Sequence, residues 1–185
     1  MAPFFTRRGD DGTTGLLGEG RVAKDHPRIE AAGAVEEASA ALGLARAVAG
    51  TGETRDVLLD VQYDLYPLMS ELAAEPDVAA RLQRLQPDRV EWLEQRIEAL
   101  GGRIEMPREF IVPGDCLAGA ALDLARTIVR RSERLVARLV REGLVRNRAL
   151  LPYLNRLSSL CFVLELWEVR QAGLERPTLA KREAE

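Results

Sequence analysis

The sequence predicts an all-α protein, a five-helix bundle with a glycine-rich N-terminal loop. Apolar residues recur at helical spacing in five segments, and short links join those segments. No segment alternates apolar and polar residues at the period of a strand. The chain of 185 residues fits a single domain, which can bury a core without disulfides or structural metals. We divide it into a loop over residues 1–27, the bundle over 28–173 and a loose tail over 174–185.

The first two predicted helices follow the loop. Residues 29–49 are rich in Ala, Glu and Leu, and their apolar positions fall on one helical face. Small residues such as Ala40 and Gly43 indicate close contact with another helix. The second helix is predicted over residues 55–74, where Pro67 is expected to introduce a kink.

The other three predicted helices are separated by links that contain proline or glycine. The third covers residues 88–100, which a Pro-Asp pair opens and a glycine pair closes. Residues 103–113 are predicted as a loop or a short extended piece. The fourth helix is predicted over 115–141, and the fifth over 147–171 with Pro152 in its first turn or just before it.

Composition excludes several classes of protein. The net charge of −3 and the pI near 5.5 argue against general nucleic-acid binding. The two cysteines, Cys116 and Cys161, lack the spacing of a zinc site and are interpreted as free thiols in a reducing compartment. No apolar run is long enough to span a bilayer, and the N-terminus lacks the hydrophobic region of a signal peptide. We therefore expect a cytoplasmic protein that is not membrane-bound.

The fourth predicted helix carries a dense row of arginines. At helical spacing they occupy an arc of about 120°, opposite the apolar face. A planar guanidinium binds pairs of oxygens through parallel hydrogen bonds, so this face indicates a polyphosphate or carboxylate site. The alternatives are a solvated surface paired with acidic neighbours and a scaffold that contacts an acidic protein. The arginines of the arc are Arg126, Arg130, Arg134, Arg138 and Arg141.

The glycine-rich loop offers the other half of a phosphate site. Exposed backbone N–H groups in such loops can surround anionic oxygens, and Asp10 or Asp11 could hold Mg²⁺. The loop is not a Walker A motif, because no Gly-Lys-Ser/Thr triplet follows the glycines. Glycine-rich composition is also compatible with a frayed tail.

The chain offers no classical catalytic group. Its only histidine is His26, and neither cysteine has an evident histidine partner for a nucleophilic pair. If the protein is an enzyme, the nucleophile belongs to a cofactor or substrate, and the protein supplies binding and orientation.

Three groups of segments, in order along the chain, resemble the PduO-type ATP:cob(I)alamin adenosyltransferases. The first is similar to the ATP loop of that family, and the second leads from a Phe-Ile-Val-Pro-Gly stretch into the arginine-rich helix. The third contains a Tyr-Leu-Asn-Arg-Leu-Ser stretch. The segments are 6–14 with 20–25, 110–114 with 125–134, and 153–158 with 160–164.

The resemblance implies a five-helix homotrimer that binds ATP, with Mg²⁺ on the phosphates, between neighbouring subunits. Arg126 is implied to pair across the interface with Glu36, and Phe110 to contact the corrinoid and help remove its lower axial ligand. Arg130, Lys24 and Phe110 are the implied catalytic residues. The implied ATP-binding residues are Thr6, Gly9, Asp10, Gly12, Thr13, Thr14, Lys24, Arg130, Glu133 and Asn155.

The reaction implied by the resemblance is transfer of the 5′-deoxyadenosyl group of ATP to Co(I) of a corrinoid such as cobalamin, with triphosphate leaving. A flavin-dependent reductase would supply Co(I), and an adenosylcobalamin-dependent enzyme would accept the product. Three positions depart from the family pattern: Glu36 replaces Asp, Asp115 replaces Gly, and Ser159 replaces an acidic residue. A diverged carrier or sensor that binds a corrinoid or nucleotide without catalysis is the alternative.

Overall fold

The arrangement of the helices and strands is given by a computed structural model, which describes residues 4–82 and 84–181. Within these ranges a short hairpin precedes six helices. The parts of the predicted loop and tail at residues 1–3 and 182–185 lie outside the described residues. The elements are β1 Thr13–Gly15, β2 Arg21–Ala23, α1 Pro27–Val48, α2 Gly52–Ala73, α3 Pro76–Ala79, α4 Asp88–Gly101, α5 Leu117–Arg141 and α6 Leu150–Gln171.

The five long helices pack around one apolar core. Helix α1 lies against both α2 and α5, while α6 lies against both α5 and α4. Leu42 of α1, Leu65 of α2, Leu122 of α5 and Leu154 of α6 are fully buried in this core. The all-α class and the five long helices agree with the prediction, and the four-residue α3 is an addition that is too short to show a helical period.

Capping side chains set the starts of α1 and α2, and four of the five long helices start two or three residues from the predicted position. Helix α1 begins at Pro27, where the preceding His26 accepts a hydrogen bond from the next turn. Helix α2 begins at Gly52 because the Thr51 hydroxyl accepts from Thr54 N at 3.2 Å. Helix α6 begins at Leu150 rather than at residue 147, and Pro152 lies in its first turn as predicted.

The N-terminal loop contains a hairpin, so the prediction of no strand is wrong here. Strands β1 and β2 are three residues each and pair antiparallel, with Thr14 opposite Val22. Three positions are too few to display an alternating pattern, and the threonines of β1 are polar. The tip of the hairpin is joined to the end of α2, since Leu17 N donates to Ala73 O at 2.9 Å.

The C-terminal residues as far as Lys181 also differ from the predicted loose tail. They return along the link between α4 and α5, where Leu179 forms an antiparallel bridge with Ile111. The link itself is a loop with a short extended piece around Ile111, in agreement with the loop or short extended piece predicted for residues 103–113. Among the described residues, no helix has both the length and the apolar character needed to cross a membrane.

Candidate functional site

The loop before α1 is held together by its own side chains. The Asp11 carboxylate accepts hydrogen bonds from Thr13 N at 2.9 Å and from the Thr13 hydroxyl at 2.8 Å. These two hydrogen bonds, together with the charge of Arg21, lower the pKa of Asp11. Arg21 in turn donates to the Thr13 hydroxyl at 2.6 Å. Asp11 and Thr13 therefore brace the loop, whereas the exposed Asp10 makes no side-chain hydrogen bond within the described residues.

Lys24 lies directly over a glycine of the same loop. A Cβ built on Gly9 would lie 3.2 Å from Lys24 Nζ, so any larger residue at Gly9 would press against the lysine. Lys24 N donates to Gly12 O at 3.0 Å, which fixes the start of the lysine side chain. Gly12 has φ 81°, a conformation that favours glycine. The structure thus places Lys24 beside Gly9 and Gly12, with which the family resemblance groups it.

The carboxylate of Glu75, which follows α2, binds the backbone at the tip of the hairpin. Glu75 Oε1 accepts from Gly20 N at 2.6 Å. Gly18 has φ 138°, and a Cβ built on it would lie 2.4 Å from the Glu75 carboxylate. Glycine at this position allows the carboxylate to lie against the loop backbone. Glu75 was not among the predicted site residues, because it is 55 residues from its hydrogen-bond partner.

A buried arginine fixes the start of α1 behind Lys24. The Arg28 guanidinium is 5% exposed and donates to Leu72 O at 3.1 Å, to Ala74 O at 3.0 Å and to Leu144 O. Burial lowers the pKa of Arg28. Carbonyls at helix ends carry partial negative charge, which suits a cation. Arg28 joins the end of α2 and the segment after α5 to the base of the loop.

A second group of predicted residues meets between α5 and α6. Asn155 Nδ2 donates to Glu133 Oε1 at 2.9 Å, so these two predicted residues lie together. Arg156 donates to Asn155 Oδ1 at 2.7 Å and to Glu94 Oε1 at 2.8 Å. Arg130 is exposed one turn before Glu133 and, within the described ranges, forms no ion pair. The group presents a free guanidinium beside an ordered carboxylate and amide.

The arginine face of α5 is only partly neutralised. Arg126 forms an ion pair with Asp123 at 2.6 Å, and Arg138 pairs with Glu142 at 2.9 Å. For these two arginines the alternative of a solvated face paired with acids describes the structure. Arg130 and Arg134 have no such partner among the residues that the structure describes, so positive charge remains available near Glu133.

The loop group and the helix group do not meet within one protomer. In the described parts of the chain, no hydrogen bond or ion pair connects Lys24 or the loop glycines with Arg130, Glu133 or Asn155. Thr6 and Thr14 likewise remain with the loop, Thr6 accepting from Arg8 N at 3.4 Å. The predicted residues therefore form two separate groups of anion-binding character.

The predicted interface pair is not formed within the protomer. Glu36 is exposed on α1, whereas Arg126 donates to Asp123 Oδ1 at 2.7 Å on its own helix. Behind Arg126 lies Glu165, which is 1% exposed and whose Oε2 has no hydrogen-bond partner among the residues that the structure describes. Burial, reinforced by Asp123 and opposed by Arg126, raises the pKa of Glu165 to about 7. Burial also raises the pKa of Cys161 to about 12, so that thiol is unreactive at neutral pH.

Phe110 lies before the N-terminal end of α5, whereas the hairpin lies near the C-terminal end of that helix. Its side chain is 89% exposed in the link between α4 and α5. The Asp115 carboxylate, near the start of α5, accepts from Thr178 N at 2.8 Å and from the Thr178 hydroxyl at 2.6 Å. No sequence pattern indicated this contact, because Asp115 and Thr178 are 63 residues apart. Asp115 therefore has a structural partner at a position where it departs from the family pattern.

The similarity to known proteins covers most of the chain. Residues 4–168 match the family model for cobalamin adenosyltransferase. The chain is 40% identical to the corrinoid adenosyltransferase PduO of Citrobacter freundii over 162 residues, which are 87% of this chain and 48% of that protein. It is 36% identical to a corrinoid adenosyltransferase of Bacillus subtilis over 163 residues, 86% of this chain and 82% of that one. The chain thus spans about half the length of the PduO relative.

Solved structures share the same fold. A variant of a PduO-type ATP:corrinoid adenosyltransferase from Lactobacillus reuteri, complexed with cobalamin and ATP, superposes with a TM-score of 0.88. That match has 26% sequence identity and covers 97% of this chain and 100% of the solved chain. Another variant from the same organism, complexed with ATP, gives a TM-score of 0.86 at 28% identity and covers 96% of this chain and 100% of that one.

Proposed function

Because the chain belongs to the cobalamin adenosyltransferase family, we propose that it transfers the 5′-deoxyadenosyl group of ATP to the Co(I) centre of a corrinoid. Relatives bear the name of this activity, and similar solved structures hold ATP and cobalamin. The observation in this chain that carries the proposal is the contact of Glu133 with Asn155. Beside it lies Arg130, which has no ion-pair partner among the described residues, and the loop of glycines and Lys24 is separate.

The two groups suit the two ends of a nucleotide that lies between subunits. They do not meet within a protomer, so a neighbouring copy would bring the loop of one chain to the α5–α6 group of another. Lys24 and the loop amides would then face the phosphates, and Arg130 would face them from the other side. We propose a homotrimer in which each ATP is bound in this way, with Glu36 and Arg126 paired across the interface.

Mg²⁺ fits this arrangement at the loop. Mg²⁺ is usually bound by one or two carboxylates together with substrate phosphates and water. Asp10 is exposed and makes no side-chain hydrogen bond within the described residues, whereas Asp11 is occupied by Thr13. Asp10 would therefore hold the ion, which would offset part of the triphosphate charge. No cluster of three or more potential metal ligands occurs among the residues that the structure describes.

The chemistry needs no protein nucleophile or general base. The Co(I) of the substrate corrinoid donates an electron pair to C5′ of ATP, a Co–C bond forms, and the C5′–O bond breaks. Cobalt is oxidised by two electrons, and the triphosphate leaves with the electron pair of the broken bond. Arg130 and Lys24 would stabilise the negative charge that develops on the leaving oxygen. The protein therefore orients two substrates and binds the leaving group.

Phe110 would act on the corrinoid side of the reaction. Its exposed apolar ring could occupy the space beneath the corrin, where the lower axial ligand of cobalt would otherwise bind. Loss of that ligand makes Co(II) easier to reduce by one electron. We propose that a flavin-dependent reductase supplies this electron and that an adenosylcobalamin-dependent enzyme accepts the product. Because ATP and a reductase must be available together, we expect the reaction to take place in the cytoplasm.

An anaerobic assay tests the transferase activity directly. Purified protein is mixed with chemically reduced cob(I)alamin and MgATP, and the loss of Co(I) absorbance is followed together with the light-sensitive Co–C product. Product above the protein-free control is the expected result. Binding of ATP or corrinoid without product would instead indicate a carrier or sensor. Binding of neither would indicate a scaffold whose arginine face contacts an acidic protein.

A further inference from the structure

We propose that Asp115 and Thr178 are positioning residues for Phe110. They fasten the C-terminal strap, defined here as residues 174–181, to the link that carries Phe110. The strap then fixes the direction in which the aromatic ring projects toward the corrinoid. This inference rests on the proposed function, because it assigns the strap to the corrinoid side of that same reaction.

The first step is the two-point contact between Asp115 and Thr178. One carboxylate oxygen accepts from the Thr178 backbone N–H at 2.8 Å, and the other accepts from the Thr178 hydroxyl at 2.6 Å. Hydrogen bonds to an ionised carboxylate are stronger than those between neutral groups. Glycine, the usual residue of the family at this position, could not form either bond. The two hydrogen bonds between Asp115 and Thr178 therefore depend on the carboxylate of Asp115.

The second step is the pairing of the strap with the Phe110 link. Val112 N donates to Thr178 O at 2.8 Å, and Ala180 N donates to Phe110 O at 2.8 Å. These two bonds lie on either side of the bridge between Ile111 and Leu179. Within the described ranges, they are the only backbone–backbone hydrogen bonds made by residues 105–114. The backbone at Phe110 is therefore held mainly by the strap.

The third step is the effect of this pairing on the aromatic ring. Side chains alternate in direction along extended backbone, so Phe110 and Val112 point to one side and Ile111 to the other. Phe110 is 89% exposed, so its ring has little packing of its own to orient it. The neighbouring Gly114 has φ 130°, which allows the link to turn sharply into α5. The direction of the ring is therefore set by the backbone at Phe110, and the strap holds that backbone in place.

The strap adds little to the core, so its role can be separated from folding. Thr178 is exposed, and Leu179 keeps 39% of its side chain exposed. Substitution at Thr178 should consequently leave the melting temperature of the bundle nearly unchanged. The conservative Thr178→Ser retains the backbone and hydroxyl donors, whereas Thr178→Val removes the hydroxyl donor. Lys181→Ala is a matched control, because Lys181 belongs to the strap but forms only an exposed ion pair with Glu109 at 3.6 Å.

The experiment compares two assays on each variant. One supplies cob(II)alamin with a flavin-dependent reductase, and the other supplies chemically reduced cob(I)alamin, which has no lower ligand to displace. Asp115→Gly and Thr178→Val should slow the cob(II)alamin reaction about tenfold but change the cob(I)alamin reaction less than about twofold. Phe110→Ala should show the same pattern, while Thr178→Ser and Lys181→Ala should match the parent.

Two results would overturn the positioning role. One is an unchanged cob(II)alamin rate in both Asp115→Gly and Thr178→Val. The other is an equal loss of rate in both assays, which would indicate general damage to the site. Failure of the parent protein to adenosylate cob(I)alamin would refute the proposed function itself. The parent control therefore separates the failure of the function from the failure of the strap.

Discussion

Within the described residues Arg130, like Arg134, has no acidic partner, unlike the nearby Arg126 and Arg131 of α5. Arg131 is neutralised by Glu37, and Arg126 by Asp123. Surface ion pairs of this kind contribute little to stability, so a free arginine does not weaken the fold. Its exposed guanidinium instead remains available for two parallel hydrogen bonds to phosphate oxygens. The absence of a partner in the described residues is thus consistent with a role in binding.

Arg130→Ala should weaken ATP binding strongly while leaving the fold intact. Loss of a charge-assisted contact to the triphosphate should cost about 2–4 kcal/mol of binding free energy, measured by calorimetry with MgATP. The melting temperature should hardly change, because the side chain is exposed. Arg96→Ala is the matched control, since Arg96 is an exposed arginine on α4 that forms no hydrogen bond or ion pair with Arg130, Glu133 or Asn155 in the described residues. Equal ATP affinity in both variants would disprove the role of Arg130.

Glu165 is a buried carboxyl whose protonation is linked to stability. Its pKa rises from 4.5 in the unfolded chain to about 7 in the native protein, chiefly through burial. Between these values the native state keeps a proton that the unfolded state releases. The contribution of Glu165 to stability is therefore fully present below the unfolded pKa and is lost as the pH rises toward the folded pKa.

Glu165→Gln should remove this pH dependence. Between about pH 5 and pH 8, the free energy of unfolding of the parent should fall by about 2 kcal/mol more than that of the variant. The amide stays neutral at both pH values, so the variant should be the more stable protein at the higher pH. Urea denaturation at fixed protein concentration measures the difference. Parallel pH profiles for parent and variant would show that Glu165 ionises normally in the native state.

At the scale of elements, the hairpin depends on contacts outside itself. Two three-residue strands are too short to be stable alone. Leu17 bonds to the end of α2, and Glu75 accepts from Gly20 N at the hairpin tip. The buried Arg28 also contacts this region, because its guanidinium donates to Ala74 O. The bundle thus positions the loop that carries Lys24.

Gly18→Ala should loosen the hairpin without unfolding the bundle. The new methyl group would lie 2.4 Å from the Glu75 carboxylate, and φ 138° is strained for alanine. Displacement of the hairpin should weaken MgATP binding about tenfold and expose the loop to proteolysis. Gly15→Ala is the control, because its Cβ would meet nothing within 4 Å. Similar ATP affinity for both alanine variants would mean that the hairpin position does not matter for binding.

An element could be predicted from the sequence when the residues that determine it lie close together along the chain. The long helices were predicted because apolar residues such as Leu58, Leu65 and Leu72 repeat at helical spacing. The hairpin was missed because its position comes from a contact with Glu75, far along the chain. The contact between Asp115 and Thr178 also joins residues that are far apart in the chain, so no local sequence pattern predicts it. The resemblance to a family indicated Glu133 and Asn155 together, which periodicity alone could not.

At the scale of the whole molecule, the site residues are divided between separate parts of one protomer. The loop group lies before α1, whereas Arg130 and Asn155 lie on α5 and α6. Glu36 on α1 is likewise exposed and apart from Arg126. A second copy of the chain could complete both the nucleotide site and the carboxylate–arginine pair. Assembly and ATP binding are therefore expected to depend on each other.

The proposed pair of Glu36 and Arg126 across the interface predicts a coupling that a double-mutant cycle can measure. Arg126→Ala alone cannot test the pair with Glu36, because Arg126 also donates a hydrogen bond to Asp123 within its own chain. Glu36→Ala, Arg126→Ala and the double variant should show a coupling energy of at least about 1 kcal/mol in dissociation of the proposed trimer, measured by sedimentation equilibrium. Glu37→Ala is the control, since Glu37 pairs with Arg131 in its own protomer. Additive effects of the Glu36 and Arg126 substitutions would show that the pair does not form.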